Sequence, residues 1–587
     1  MKKIIRKVFS VTLVAVMLLA ILAACAPEAN RELKNVTSVE LVRLMGNGIN
    51  LGNTMEACNA SNRVPNLDPS VYETMWGNPV TTQAMITGMK NAGFSTLRVP
   101  VAWTNAMAFE TGDFTINDAY FDRVEEIINY ALNEDMFVIV NNHWDHGWWS
   151  MFGHPDQAWR DFALEMFISM WTQIANRYNH FDHRVIFEPS NEEWGNRFND
   201  RTQFSPTGGT LTEDECYELL TYLSQVFVDL VRDTGGNNKN RFLLMKGYNT
   251  DVMMTVDERF KLPTDSVNNR LLISVHYYTP WSYCGDTSGV GSWGRTGEVE
   301  EMNELLGKLT KFIDMGFGVV IGEWGVLDNE GPDRLTFFTN FLDNADLHGY
   351  APILWDTGYD PVHGRLFDRN DTHTIVAPDI LELFQSRSVW ARKDMSVDDK
   401  IAAAEASMAN TLELASHRVE TVLTADQAVA WIMIADGTWS IQYSVGDVYR
   451  PEQIPDGLIA TDVEVTGEGT YTVGLDFTGT AQGFADGFEF SAVGLMNGEI
   501  LFPGYIMDIT EILINGEPAT DFAGLPYTTN DNPVTTRVNL YNAWVNDVPP
   551  EARILGGDLS NASPTFLENY KLTHIETLFI TFNFIAP

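Results

Sequence analysis

Residues 117–143 read NDAYFDRVEEIINYALNEDMFVIVNNH. Phe121, Val124, Ile127, Ile128 and Ala131 recur at steps of three and four, which gives a helix one apolar stripe, and Asn117 can cap its start. The period then changes. MFVIVNNH is a short continuous apolar run that ends in polar residues, the mark of a strand. This succession of short apolar run and longer amphipathic run extends from about residue 47 to 392. The candidate strands are GINLGN, STLRVPV, MFVIVNNH, VIFEPSNE, RFLLMKGYN, LLISVHYY, GVVIGEW and YAPILWD. Eight such repeats predict an α/β protein built as a closed (β/α)8 barrel in preference to an open sheet. Such barrels carry their chemistry at the C-terminal ends of the strands, and Arg98, His143, Asn191 with Glu192, His276 with Tyr278, Glu323 and Trp355 all fall there.

The texture changes near residue 393. SVDDKIAAAEASMANTLELAS reads as a bridging helix, and beyond it short β-like runs such as GTYTVGLDF, FEFSAVGL and LFITFNF are broken by Gly, Asn and Asp. Strands without helical interludes predict an all-β sandwich of jelly-roll type. At the other end, MKKIIRK precedes a long apolar run and Leu22-Ala23-Ala24-Cys25, the pattern of a secretory signal with a bacterial lipobox. The expected organisation is therefore a signal peptide over 1–25 and a tether over 26–38. A catalytic barrel over 39–395, a helical connector over 396–421 and a β sandwich over 422–587 follow. Cys25, once lipidated, would anchor the chain to the outer face of a bacterial envelope.

Composition narrows the partners. A formal net charge of −41 repels nucleic acid and anionic lipid headgroups, whereas 16 Trp and 19 Tyr supply the flat apolar faces on which uncharged sugars stack. Cys58, Cys216 and Cys284 show neither disulfide nor metal-site spacing, and the histidines lack ligand spacing, so no metal and no other cofactor is expected.

Residues 186–195, IFEPSNEEWG, hold three glutamates. If the strand continued through them at its usual rise, Glu188 would lie roughly 13 Å deeper than Glu192. Glu193 has the opposite parity and should point away. Glu192 is thus the candidate acid, and Glu323, closing the seventh strand, is its candidate partner. Glycosidases that retain anomeric configuration place two such carboxyls about 5–5.5 Å apart, and inverting ones about 6.5–9.5 Å apart.

The motifs GINLGNTMEA, ETMWGNPVTT, GFSTLRVPVAW, NNHWD, SNEEW, SVHYYTPW, IGEWG and ILWD, in this order, resemble glycoside hydrolase family 5, the cellulase family of clan A. The resemblance implies a retaining, double-displacement endo-hydrolase of β-1,4-glucan, cellulose-like or mixed-linkage, with xyloglucan, mannan and xylan as alternative substrates. It further implies Glu192 as acid/base, Glu323 as nucleophile and Asn191 as the ligand of the sugar 2-hydroxyl. Arg98 and Tyr278 would support the nucleophile, His143 and His276 line the cleaved-sugar subsite, and Trp355 form its floor. Two departures stand out. Relatives usually have Asn-Glu-Pro where this chain has Asn191-Glu192-Glu193, and the closest often have His-His where it has His143-Trp144. The first departure is expected to alter only the loop, and the second to change subsite contacts.

Aromatic residues complete the expectations. Trp144 and Trp281 are further candidates for substrate binding. Trp148, Trp149, Trp194, Trp281 and Trp293 lie in loops where half would stack on sugar and half pack the rim, while Trp76, Trp103, Trp159 and Trp171 are expected in the core. In the sandwich Trp431, Trp439, Tyr443, Tyr449, Tyr471, Tyr541 and Trp544 suggest a carbohydrate-binding module. The competing class is a glycan-binding surface lipoprotein without catalysis.

Overall fold

The computed structural model describes residues 35–59, 64–65, 67–285, 293–327, 333–358, 364–417, 426–436, 442–443, 457–519, 529–532, 535–544, 546–547, 562–563, 567 and 572–587. Cys25 and its signal lie outside these residues. Two compact units divide the described chain. One takes the residues up to Tyr278 with Glu300–Leu327 and Phe338–Ala409, and the other takes Thr279–Val299, Asp328–Phe337 and the residues from Asn410 on.

In the first unit all eight expected strands form: β1 Gly48–Asn50, β2 Thr96–Val99, β3 Phe137–Asn141, β4 Val185–Glu188, β5 Leu243–Lys246, β6 Leu271–Tyr277, β7 Gly318–Trp324 and β8 Ala351–Leu354. Each pairs in parallel with the next, and β8 returns to β1 through Gly48 opposite Ile353, so the sheet closes and leaves no edge. The helix Asp118–Asn133 buries the expected stripe, together with Tyr120, and the Asn117 side chain accepts from Ala119 N–H at its start.

The barrel floor is sealed by the helix Ser38–Met45, whose start is fixed by a reciprocal cap between Thr37 and Glu40. Leu41, Val42 and Met45 pack against Ile139, Ile186, Phe242, Leu244, Leu272, Val320, Ala351 and Ile353. Burial of this kind contributes on the order of 1.5–3 kcal/mol per side chain. Val36 O accepts from Arg270 Nη1 at 2.5 Å, so the last residues of the expected tether already belong to the floor.

The second unit contains two antiparallel sheets around one apolar core. The first runs in the order Gln442–Tyr443, Val429–Asp436, Phe488–Met496, Thr535–Asn542 and Thr529–Asn532. The other runs Ile459–Thr461, Gly469–Asp476, Thr577–Ile585, Ile506–Ile514 and Glu517–Pro518. Leu578, Ile580, Phe582 and Phe584 alternate into the core from one sheet, and Trp431 and Val493 enter it from the other. The connector helix spans Val397–His417.

Tryptophan environments depart from expectation in both directions. Trp103 and Trp171 are buried, but Trp76 and Trp159 are 38% and 41% exposed. Trp76 satisfies its indole N–H on Cys58 O and leaves its ring outside, while Trp159 sits in the first turn of the helix Gln157–Arg177 with ring contacts to His154 and Phe162. Conversely Trp148, Trp149, Trp194 and Trp293 are all buried, so rim packing takes four of the five loop tryptophans. Trp148 and Trp149 donate their indole N–H groups to Asp145 and Trp144 O, which satisfies their polar edges without ligand.

Candidate active site

The strand β4 stops at Glu188, because Pro189 cannot donate to a ladder, and the chain then turns across the barrel mouth. The extended-strand spacing between Glu188 and Glu192 therefore does not apply. Glu188 instead lies one guanidinium away from the chemistry. Arg98, fully buried on β2, donates from Nε to Glu188 Oε2 at 2.8 Å and from Nη1 to Glu323 Oε1 at 3.0 Å. It also donates to Asn50 Oδ1 at 3.0 Å and to Asn191 Oδ1 at 2.8 Å. Glu188 Oε1 accepts from Lys246 Nζ at 3.1 Å and Ser274 Oγ at 2.9 Å. Burial alone would raise the Glu188 carboxyl, but the charges of Arg98 and Lys246 hold it down to about 2.

This hub closes an irregular seam of the barrel. Pairing shifts register between Val275 and His276 against β7, and again between Ile321 and Trp324 against β8. Asn50 Nδ2 donates to the freed carbonyls of Gly322 and Leu354 at 3.0 and 3.1 Å. A Cβ on Gly322 would stand 3.1 Å from His276 Nε2, so the glycine of IGEWG makes room for the imidazole.

Glu192 and Glu323 meet above the hub. Donor atoms of Glu192, His276 and Glu323 all lie within 4.8 Å of one another. Glu323 is the inner member: its side chain is 7% exposed, and Tyr278 Oη donates to its Oε2 at 3.3 Å. Glu192 is the outer member, 31% exposed, with Oε1 2.8 Å from His276 Nδ1 and Oε2 accepting from Arg197 Nη1 at 3.3 Å. Burial pushes the Glu323 carboxyl up to about 8, the charge of Glu192 adds to the rise, and Arg98 opposes it. Burial also raises Glu192, against the attraction of Arg197, Lys246 and Arg98. Such a pair titrates as a unit and holds one proton well above the ordinary carboxylate range. Burial, reinforced by Arg98 and Lys246, keeps His143 and His276 neutral. The same three donors have a spacing a divalent ion can bridge, but arginines already engage both carboxylates, and we read the cluster as an acid–base pair.

The walls follow from the neighbouring strand ends. His143 lies parallel to Trp355, with ring centroids 5.6 Å apart and planes at 9°, and its Nε2 is 3.9 Å from Glu323 Oε1. Asn191 turns its amide oxygen to Arg98, since a guanidinium only donates, and thereby turns Nδ2 away from it. Trp144 is 39% exposed at the end of β3. Glu193 is buried in hydrogen bonds to Ser190, Asn191 and Trp144 that engage both its oxygens, an arrangement set by the turn and not by strand parity, since β4 has ended at Glu188. Trp281, 63% exposed, falls in the second unit. Sequence reading did not anticipate Asn50, Lys246, Ser274 or Arg197, and it left Glu188 without a role. A lysine ending the apolar run RFLLMK was a signal, because a charge pointing into a barrel must be paired.

Two opposed carboxylates over a cationic hub at the C-terminal mouth of a (β/α)8 barrel define a glycosidase-type site. Comparison with known proteins specifies it further: Cellulase (glycosyl hydrolase family 5) matches residues 58–361, and the chain belongs to that family. Endoglucanase A of Paenibacillus barcinonensis is 33% identical over 376 residues, which cover 58% of this chain and 88% of the relative. The xyloglucan-specific endo-beta-1,4-glucanase BoGH5A of Bacteroides ovatus is 33% identical, over 59% of this chain and 69% of its own. Among solved structures, the GH5-4 broad specificity endoglucanase from Ruminococcus champanellensis with bound cellotriose superposes with a TM-score of 0.51 and 32% identity. That match covers 60% of this chain and 99% of the neighbour.

Proposed function

We infer that the chain is a retaining, endo-acting β-1,4-glucan hydrolase in which Glu323 attacks and Glu192 transfers the proton. The carrying observation is that one oxygen of each carboxylate lies within 4.8 Å of the other, nearer the about 5–5.5 Å of retaining enzymes than the about 6.5–9.5 Å of inverting ones. Glu323 forms the bond to the anomeric carbon as Glu192 protonates the departing glycosidic oxygen. Glu192, now ionised, then takes a proton from the water that cleaves the glycosyl ester. Arg98 and Tyr278 bind the ionised Glu323, and Asn191 offers Nδ2 to a sugar hydroxyl over the His143 and Trp355 floor. His276 holds Glu192 between its two protonation states, since a neutral imidazole nitrogen can donate to the carboxylate or accept from the acid.

Cellulose-like and mixed-linkage glucans are the leading substrates, supported by relatives named as endoglucanases; xyloglucan follows, supported by the Bacteroides ovatus relative. An activity panel on these polymers, mannan and xylan should release shortened oligosaccharides whose new ends appear first as the β anomer. No cleavage of any polymer, or α anomers first, would refute this reading.

Two parts of the proposal rest on sequence. Lipidation of Cys25 would anchor the enzyme to the outer face of the envelope, and Cys25→Ser should then abolish lipid labelling and membrane retention. The sandwich is proposed to bind glycan: among its described aromatics Trp431 is core, Tyr471 stacks on Phe582, Tyr541 is partly buried, and Trp544 is 51% exposed. Trp439, Tyr449 and the Tyr443 side chain lie outside the described residues. Retardation of the full chain on glucan affinity gels should weaken in Trp544→Ala, and unchanged retardation would remove the support that this residue lends.

A further inference from the structure

Glu193, the residue after the candidate acid, and Trp144, at the mouth end of β3, touch each other. Trp144 N–H donates to Glu193 Oε1 at 2.8 Å, while Glu193 Oε2 accepts from Asn191 N–H at 2.7 Å and Ser190 Oγ at 2.5 Å. Two of these partners are backbone N–H groups, which can only donate, one to each carboxylate oxygen. An amide in place of the carboxylate would turn its NH2 group onto one of them. The latch holds a loop that ordinary residues resist, for Trp144, Asp145 and His146 all have positive φ, at 50°, 46° and 64°.

What the latch presents is an aromatic face beside the acid. Arg197 lies over the rings of Trp144 and Trp149, 5.4 and 5.6 Å from their centroids, and extends Nη1 to Glu192 Oε2. Trp149 meets Trp144 edge-on at 5.6 Å, which leaves Trp144 39% exposed. Trp144 is therefore joined through Arg197 to Glu192, whereas His143 and Trp355 stand on the Glu323 side. A group that protonates the glycosidic oxygen lies between the cleaved sugar and the departing one. We propose that Glu193 is a positioning residue that holds Trp144 as the stacking platform for the sugar on the leaving-group side of the scissile bond. The ligand class is the apolar face of a β-linked pyranose. The inference rests on Glu192 acting as the acid/base.

The test uses the covalent intermediate. The full-length enzyme is loaded from an aryl β-cellobioside in the presence of cellobiose. When the ester bond from C1 to Glu323 breaks, a new C1–O bond forms either to water or to an acceptor hydroxyl, and Glu192 takes the proton in both cases. The ratio of transfer to hydrolysis thus cancels any defect in Glu192 and reports acceptor binding on the leaving-group side. Trp144→Ala should lower the ratio about tenfold, the loss of roughly one stacking contact, and Trp144→Phe should restore most of it. Glu193→Gln should lower it similarly, with no additional fall in the double variant, and Glu193→Asp should recover part. An unchanged ratio in Trp144→Ala overturns the platform. A fall there with Glu193→Gln like wild type overturns the latch; if Glu193→Gln does not fold, a wild-type ratio in Trp144→Ala or no change in Glu193→Asp decides in its place. No release of phenol by the wild type would instead strike the proposed catalytic function.

Discussion

Glu192 and Glu323 share a side chain and a cleft, yet they are held in opposite ways. Glu323 sits at the end of a barrel strand with Arg98 and Tyr278 on its oxygens, and Arg98 is itself locked by Glu188, Asn50 and Asn191. Glu192 lies beyond the end of β4 on a turn, more exposed, with a histidine and a partly exposed arginine as partners. The contrast teaches how one residue type serves two jobs. A nucleophile must be fixed in place and ionised when it attacks, so rigid strands suit it, and Arg98 supplies the cation that opposes the rise imposed on Glu323 by burial and by Glu192. A proton carrier must change charge twice per turnover, so it needs partners that tolerate both states.

The strongest way to break the comparison is to remove its inner member. Glu323→Ala should lower turnover on every substrate by about four orders of magnitude or more while leaving oligosaccharide binding measurable by calorimetry. Equal turnover in variant and wild type would favour the non-catalytic binder. Removing the outer member should be more selective. Glu192→Gln should cost polysaccharide cleavage about a thousandfold and the first step on an aryl glycoside with an activated leaving group far less, as pre-steady-state release of phenol would report.

The pH dependence has a definite sign. The pair loses its last proton as pH rises through about 8, so cleavage of polysaccharide should fall on that limb. In Glu192→Gln the neighbouring charge that helps raise Glu323 is gone, and Glu323 should ionise at lower pH. Aryl-glycoside reactivity of this variant should then persist above pH 8; a falling limb retained at the same place would contradict the shared proton.

The hub beneath the pair predicts an effect on stability. Glu188 is depressed to about 2 in the folded chain from an ordinary 4.5, so its contribution is complete above 4.5 and is lost as pH falls towards 2. Lys246→Met or Arg98→Met leaves a buried charge short of a partner and should cost about 3–5 kcal/mol in denaturant unfolding near pH 7. The smallest effect expected is at the rim. Arg197→Met removes the main attraction opposing the raised titration of Glu192, so the alkaline limb should move to higher pH with little change in melting temperature.

Much of this was legible before folding because strand ends are where periodicity is least ambiguous. Arg98, His143, Asn191, Glu192, His276, Tyr278, Glu323 and Trp355 fall at or near the ends of six apolar runs, and closure of the barrel brings those ends to one mouth. Trp76 and Trp159 were misplaced for a related reason: each lies in or next to an amphipathic stretch, where hydrophobicity alone does not say which side of a large ring meets solvent. The role of Glu188 is hidden from a uniform strand rise, because the strand ends before Pro189 and the chain turns there. Arg197 was invisible, since its link to Glu192 depends on a loop path that no local pattern encodes.

The sequence by itself determined the alternation of strands and helices, the end of the barrel that carries the chemistry, and the two carboxylates that face each other there. These follow from side-chain periodicity and chain order, which are local properties. Only the tertiary structure decided that Glu188 and Lys246 serve as buried counter-charges, that Glu193 ties Trp144 into place, and that Glu192 stands close enough to raise the titration of Glu323. Those facts are distances between residues far apart in the chain. The desolvation and electrostatic fields that set their chemistry exist only once the barrel has closed around them.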